Sequence, residues 1–338
     1  MVTIYDIAKK ANCSAMTVSR VINNTGRISQ QTRQRVKAIM AEMNYVPNAM
    51  ARSLVLQESR ILSLLITDIT NPFYTTLARG AEDAAKRLGY RLMFSNSDED
   101  LLEETKFIDT VLATRVDGVL IAPCGNGSLA HLERLRLHNI PFVLIDREVP
   151  GIEADAVVGD NKEGARKLMD HLLELGHRSI AFLNASTDIS TARLRLDGYR
   201  EALALHGVPW RADYYCELGY TRFNADPVID RLLGLPEPDR PTAIFAANNF
   251  IALAAIRSLR ERGLRVPEDI SVVCFDDLEA DYVLDPFLTV VSQPSYDFGT
   301  IGMQLLIDRI RGIADDWRTV MLPSRLLPRR SSAAIDEC

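Results

Sequence analysis

Short apolar runs alternate with helical stretches from residue 61 to residue 275, and this alternation constrains the fold more than any other feature of the 338 residues. The runs are Ile61 to Thr67, Arg91 to Phe94, Val119 to Ala122, Phe142 to Ile145, Ile180 to Leu183, Ala243 to Ala246 and Val272 to Phe275. Strands that are apolar throughout must be covered on both faces, the condition of a parallel sheet wrapped by helices. The stretches between them tend to stop near Gly89, Gly176, Gly207 or Gly263, where a left-handed residue can end a helix. So many repeats imply an α/β fold with two doubly wound lobes. No apolar run approaches the roughly 18 residues of a membrane-spanning helix, since the best stretch, Ala243 to Ile256, is broken by Asn248 and Asn249. Asp6, Lys9 and Lys10 stand where a secretory signal needs its apolar centre, so a cytoplasmic chain is expected. Cys13, Cys124, Cys216, Cys274 and Cys338 are scattered without a C-x-x-C pair, and the five histidines form no H-E-x-x-H. Neither a disulfide framework nor a metal site is expected, and no cofactor.

Charge is divided unevenly. Residues 1 to 57 carry eight basic side chains against Asp6 and Glu42, a net +6, so the remaining residues carry −12 of the chain's total of −6. A cationic head on an acidic body draws a polyanion to the head alone, and nucleic acid is the obvious candidate. Within the head, Thr3 with Asp6 reads as a capping box for a short helix through Ile4, Ile7, Ala8 and Ala11. Asn12 can hold a left-handed turn, and Ser14 caps a second helix from Ala15 to about Asn23. Val18, Val21 and Ile22 face inward, leaving Ala15, Met16, Thr17, Ser19 and Arg20 outside. Two short helices across a tight turn suit insertion of the second into a major groove. There Arg20 can reach guanine or phosphate, Thr17 and Ser19 phosphate or base edges, and Ala15 and Met16 a thymine methyl. A third helix starts on Ser29, buries Val36, Ile39, Met40 and Met43, and ends at Asn44. Beyond Pro47, Asn48 can cap a further helix from Ala49 to Val55, too short to persist alone. Its Leu54 is either a linker residue lying on the body or an apolar wedge for the minor groove.

Three segments carry a resemblance: Val2-Thr3-Ile4-Tyr5-Asp6-Ile7-Ala8, Thr17-Val18-Ser19-Arg20-Val21-Ile22-Asn23 and Tyr45-Val46-Pro47-Asn48-Ala49-Met50-Ala51-Arg52-Ser53-Leu54. They resemble the headpiece and hinge of LacI/GalR-family bacterial transcription regulators, and the likeness continues through nearly the whole chain. It implies an all-α helix-turn-helix headpiece over 1–47, a hinge helix and linker over 48–59, and a periplasmic-binding-protein-like effector domain over 60–338. In that domain one lobe would span about 60–159 and 292–320, the other about 160–291 and 321–332. DNA contacts are implied for Thr3, Tyr5, Ser14, Ala15, Met16, Thr17, Ser19, Arg20, Asn23, Ser29, Thr32, Asn48 and Ala51, with Leu54 as the kinking wedge. Ala15-Met16 reverses the Met-Ala order of many relatives, and Asn12 stands where Gly is usual, so the operator is not transferable from a relative.

Several runs of the body end in polar residues: Asn71-Pro72-Phe73-Tyr74, Asp146-Arg147, Asn248-Asn249 and Asp276-Asp277. Open parallel sheets bind ligands at such strand ends, and Asn, Asp and Arg with nearby aromatic rings suit the paired hydroxyls and C–H faces of a small polyol. The resemblance puts the effector positions at Phe73, Tyr74, Asp146, Arg147, Arg195, Asn248, Asp276 and Gln293, with Tyr220 as an aromatic platform. Too few residues follow Pro328-Arg329-Arg330 for a tetramerising heptad helix, so a homodimer on a double-stranded operator is expected. The function implied is a DNA-binding regulator, more often a repressor, under a sugar-like effector: a neutral sugar, a sugar acid or a phosphorylated sugar.

Two other readings compete. Gly125-Asn126-Gly127-Ser128-Leu129-Ala130 satisfies G-x-G-x-x-A after an apolar strand, with Asp146 placed 19 residues beyond Gly127 as a ribose-binding acid would be. It follows the third body strand instead of opening the fold, so an enzyme is not expected. Catabolite-control members of the family bind a phosphorylated carrier protein, and Tyr45 to Asn48, Phe73-Tyr74-Thr75 and Ser95-Asn96-Ser97-Asp98 look similar to that branch. Met303-Gln304-Leu305-Leu306 lacks the basic residue expected to grip the phosphate.

Overall fold

The computed structural model describes residues 2–46, 58–218, 224–278 and 285–335. The chain divides into two compact units, Met1–Ser59 and Arg60–Cys338. In the first, α1 (Ile4–Lys10), α2 (Ala15–Asn23) and α3 (Gln30–Glu42) each begin on a hydroxyl cap, at Thr3, Ser14 and Ser29. Asn12, Asn24 and Asn44 follow the three helices at φ of 50, 57 and 45°, the left-handed region that Asn tolerates better than most residues. Ile7, Val18, Val21, Val36 and Ile39 form the buried core. Ala15 and Ile22 are half-buried against it, so Ala15 is less free than an outward-facing position would be.

In the second unit the chain lays down β1 (Ile61–Ile66), α4 (Pro72–Arg87), β2 (Arg91–Asn96), α5 (Leu101–Thr114), β3 (Gly118–Ile121), α6 (Leu129–Leu137), β4 (Phe142–Asp146) and β5 (Asp155–Gly159). It then crosses to build α7 (Asn161–Glu174), β6 (Ile180–Asn184), α8 (Ser190–Leu205), β7 (Tyr215–Glu217), α9 (Asp226–Leu233), β8 (Ala243–Ala246), α10 (Asn249–Glu261), β9 (Ser271–Phe275) and β10 (Thr289–Ser292). A second crossing leads to α11 (Ser295–Ile310) and β11 (Thr319–Leu322), and a third to β12 (Arg325–Leu327). The first sheet runs β2-β1-β3-β4-β5-β11 and the second β7-β6-β8-β9-β10-β12, the same order twice. Every recorded pairing is parallel except β10 with β12. Because β11 ends at Leu322, the last crossing falls at Pro323 and Ser324, slightly past the expected position.

One core fills the second lobe around Phe182, Phe245 and Phe275, while two cores cover opposite faces of the first sheet. Across one face α11 lies so close on α4 that a Cβ at Gly299 would stand 1.9 Å from the Leu77 carbonyl oxygen. The crossings are tied together. Asp160 Oδ1 accepts the Ser324 amide at 2.9 Å, and Lys167 donates to the Ser324 carbonyl at 2.9 Å. Among the described residues no helix is long and apolar enough to cross a membrane.

Candidate functional site

The headpiece presents α2 by its N-terminal half. Ser14 Oγ accepts the Thr17 amide at 3.1 Å and shares a hydrogen bond with Thr17 Oγ1 at 2.9 Å. Ser29 and Thr32 repeat the arrangement at 3.2 and 2.9 Å. These four hydroxyls therefore fix the start of each helix as well as standing at its surface. At α1, Thr3 donates through both N and Oγ1 to Asp6, which holds the Asp6 carboxyl below the usual carboxylate range. Asn23 Nδ2 donates to Ser19 Oγ at 3.3 Å, one turn back on α2. Met16 and Arg20 are exposed on that helix, as is Tyr5 on α1, the first and last at 64% and 73%. Asn48, Ala51 and Leu54 lie outside the described residues.

In the body, the ends of β1, β4, β6, β8 and β9 open on a cleft of about 640 Å³ between the two sheets. Strand order reverses beside β1 in the first sheet and beside β6 in the second, so the cleft occupies the switch point of both. Phe73, Tyr74, Asp146, Arg147, Arg195, Asn248 and Asp276, expected from the sequence, all line it. Gln293 stands behind Asp276 and donates to its Oδ1 at 2.7 Å, while Tyr220 lies outside the described residues. Thr67, Asp68, Glu99, Asn184 and Thr191 also line the walls and were not singled out. The strand-end rule reaches Asn184 once β6 is extended one residue past Leu183, and Glu99 once β2 is carried to Asn96.

The two lobes hold the ligand space by equivalent devices. Asp146 and Asp276 follow or end the fourth strand of their sheets at φ of 66 and 69°, a left-handed turn that swings each carboxylate toward the cleft. Asp146 accepts from the Tyr74 hydroxyl at 2.8 Å, and burial holds that phenol far above its ordinary pKa, so it stays a donor. Burial pushes the Asp276 carboxyl up from the usual carboxylate range, against the opposing pull of Arg195 and Gln293. Arg147 meets Glu99 with two parallel hydrogen bonds of 2.6 Å, donates to the Pro123 carbonyl at 3.2 Å, and lies 3.6 Å from Asp146. Arg195 donates to Asn161 at 2.9 Å and to the Ala247 carbonyl at 2.5 Å, reaches within 3.5 Å of Asp276 and stacks 3.7 Å above the Phe275 ring. Across the cleft, Asn249 Nδ2 donates to Asn71 Oδ1 at 3.1 Å and the Glu148 amide to Ser190 Oγ at 2.9 Å.

The glycine pattern at Gly125 to Ala130 has a packing explanation. A Cβ at Gly127 would stand 2.6 Å from Leu101 Cδ1, so the second glycine seats α5 against the loop. Asp146, the proposed ribose acid, is engaged by Tyr74. Among the described residues no group of three His, Cys, Asp or Glu side chains converges as a metal site.

Residues 3–48 match the model for bacterial regulatory proteins of the lacI family, and residues 169–332 that for a periplasmic binding protein-like domain. The HTH-type transcriptional regulator DegA of Bacillus subtilis is 36% identical over 336 residues, covering 99% of each chain. The chain belongs to the lacI family. Catabolite control protein A of Priestia megaterium is 34% identical to this LacI-family regulator over 333 residues, covering 98% of this chain and 99% of the relative. A lac repressor dimer solved with operator and the anti-inducer ONPF superposes at a TM-score of 0.81, with 29% identity over 98% of this chain and 99% of that one. This LacI-family chain is accordingly a DNA-binding transcriptional regulator, with the headpiece and two-sheet architecture expected of it.

Proposed function

We propose that the chain represses transcription as a homodimer on a palindromic operator, in the cytoplasm at the nucleoid, under control of a small sugar-like effector held in the cleft, and that it catalyses no reaction. The observation that carries the control is the line from Asp276 through Gln293 to the crossings. Gln293 belongs to the segment joining β10 to α11, and it packs on Gly159, which ends the strand before the first crossing. A ligand that grips Asp276 therefore works on the joints between lobes, and a change of lobe angle is how a bound effector would alter the spacing of two headpieces. A second copy is favoured by β2, among the described residues an edge strand with unpaired backbone groups on its outer side and with Met93 and Phe94 exposed at 53% and 59%. We place the domains as headpiece 1–47, hinge 48–59 and effector domain 60–338.

Control by a phosphoprotein is the second reading, favoured by the similarity to catabolite control protein A. It gains nothing from α11, where Met303, Leu305 and Leu306 are buried and Gln304 is engaged with Asp308 at 2.7 Å. The deciding experiment selects duplexes from a random pool with the full chain at near-physiological salt, then repeats the binding with Leu54→Ala. Enrichment of a palindrome that Leu54→Ala weakens far more than random duplex is the expected result. No preference for any palindrome ends the proposal, and equal loss on both duplexes removes the wedge role of Leu54.

A further inference from the structure

The cleft's own charges narrow what it can hold, on the reading that it is the effector site. Among the described residues its lining carries five carboxylates, Asp68, Asp98, Glu99, Asp146 and Asp276, against two guanidiniums, Arg147 and Arg195. Both guanidiniums are already committed. Both terminal nitrogens of Arg147 are bonded, to Glu99 and the Pro123 carbonyl, with Nε 3.6 Å from Asp146, and Arg195 is held by Asn161, the Ala247 carbonyl and, at 3.5 Å, Asp276. The grip of Arg147 on Glu99 is the two-pronged geometry with which arginine takes a ligand carboxylate or phosphate. It is also dry, with the two side chains only 7% and 10% exposed.

The backbone is bent to make that pair. Asp98 and Glu99 are consecutive residues with φ of 51 and 60°, a conformation that costs non-glycine residues energy and persists only where the surroundings enforce it. Among the described residues no donor reaches the buried Asn184 Oδ1, which belongs to a side chain lining the cleft. A buried acceptor of this kind calls for a donor, and a ligand hydroxyl supplies one.

We propose that Glu99 is a built-in counter-anion that occupies the anion-binding face of Arg147, so that the cleft selects a hydroxyl-rich ligand without negative charge and refuses sugar acids and sugar phosphates. Glu99 is thereby a specificity-determining residue, and removing its charge converts the same guanidinium into an anion site.

Calorimetric titration of the full chain and of Glu99→Gln tests this with D-glucose and D-ribose, their anionic counterparts D-glucuronate and D-ribose 5-phosphate, and inorganic phosphate. The wild-type chain is expected to bind a neutral sugar at least about tenfold tighter than its anionic counterpart, and Glu99→Gln to gain about tenfold in affinity for the anions. A wild-type chain that prefers an anionic counterpart overturns the inference and leaves the cleft standing as a sugar site. Anion affinity unchanged in Glu99→Gln overturns it as well. Heat from none of the four sugars in either protein removes the sugar site itself and this inference with it. Should Glu99→Gln fail to fold, Glu99→Ala, which also removes the carboxylate, replaces it and is expected to gain anion affinity in the same direction. The wild-type preference decides the question without either variant.

Discussion

Asp146 and Asp276 occupy the same place in the two sheets and turn into the cleft through the same left-handed backbone, yet their surroundings differ. Asp146 is held within its own lobe by Tyr74 and lies beside an Arg147 that Glu99 has already neutralised. Asp276 takes its hydrogen bond from Gln293 on a crossing segment and shares Arg195 with two neutral acceptors, so burial lifts its carboxyl toward protonation. On the function proposed above, one repeated strand end is a fixed wall in the first lobe and the end of a lever in the second. Two doubly wound lobes of identical strand order can share a ligand unequally, because one Asp takes its partner from its own lobe and the other from a crossing segment.

The largest effect expected from breaking the comparison follows Arg147→Ala. It strands Glu99 in a nearly dry pocket and should lower stability by about 3 kcal/mol, as removal of one member of a buried ion pair does. Arg195→Ala strands Asp276, whose carboxyl is already displaced upward and can take a proton instead. Its loss should be about 2 kcal/mol at neutral pH and should shrink on acidification. Urea unfolding of both variants at pH 5 and pH 7.5 measures the contrast. Equal losses with equal pH dependence would show that the two strand ends are electrostatically alike. Effector response is expected to vanish in Arg195→Ala while operator affinity without effector persists.

A smaller effect sharpens the same contrast. With its folded pKa raised above the ordinary 3.8, Asp276 binds its proton more readily in the folded than in the unfolded chain. Its contribution to stability is therefore complete below 3.8 and is lost as pH rises through the folded value, leaving the ionised group as a liability at neutral pH. Asp276→Asn should consequently melt higher than wild type at pH 7.5, with a difference that narrows toward pH 4, and should bind effector less well. Melting curves across that range check it, and a difference that widens on acidification would reverse the assignment.

Much of this was legible in the sequence, for identifiable reasons. The seven apolar runs are all strands, and six of them are central parallel strands whose burial writes an apolar signal into nearly every residue, while the seventh, β2, is an edge strand with Met93 and Phe94 exposed. The caps at Thr3, Ser14 and Ser29 were legible because a helix start needs a side-chain acceptor at a fixed spacing. The strands that escaped notice are short or mixed in character. β5 opens on Asp155, which is fully buried because Arg309 and Arg318 meet it, and the edge strand β11 alternates exposed with half-buried residues. In the cleft, residues at strand ends were found and Glu99 was missed. Its role depends on a left-handed pair and on an arginine 48 positions away in sequence, and neither leaves a periodic trace.

The finest test of the lever concerns Gly159. Its φ does not lie in the left-handed region, so an alanine there brings no backbone strain, but the new Cβ would stand 1.9 Å from Gln293 Oε1. Gln293 ends in a flexible amide and can turn aside, which limits the stability cost to about 1 kcal/mol. Turning aside, however, removes the donor from Asp276 Oδ1. Gly159→Ala is therefore expected to leave effector affinity within a few fold of wild type and to weaken the effect of bound ligand on operator binding, since the link to the crossing is what is lost. Operator titrations with and without saturating effector give the coupling directly. Undiminished coupling in Gly159→Ala would mean that the lobes respond to ligand without Gln293, and that Asp276, like Asp146, is only a wall.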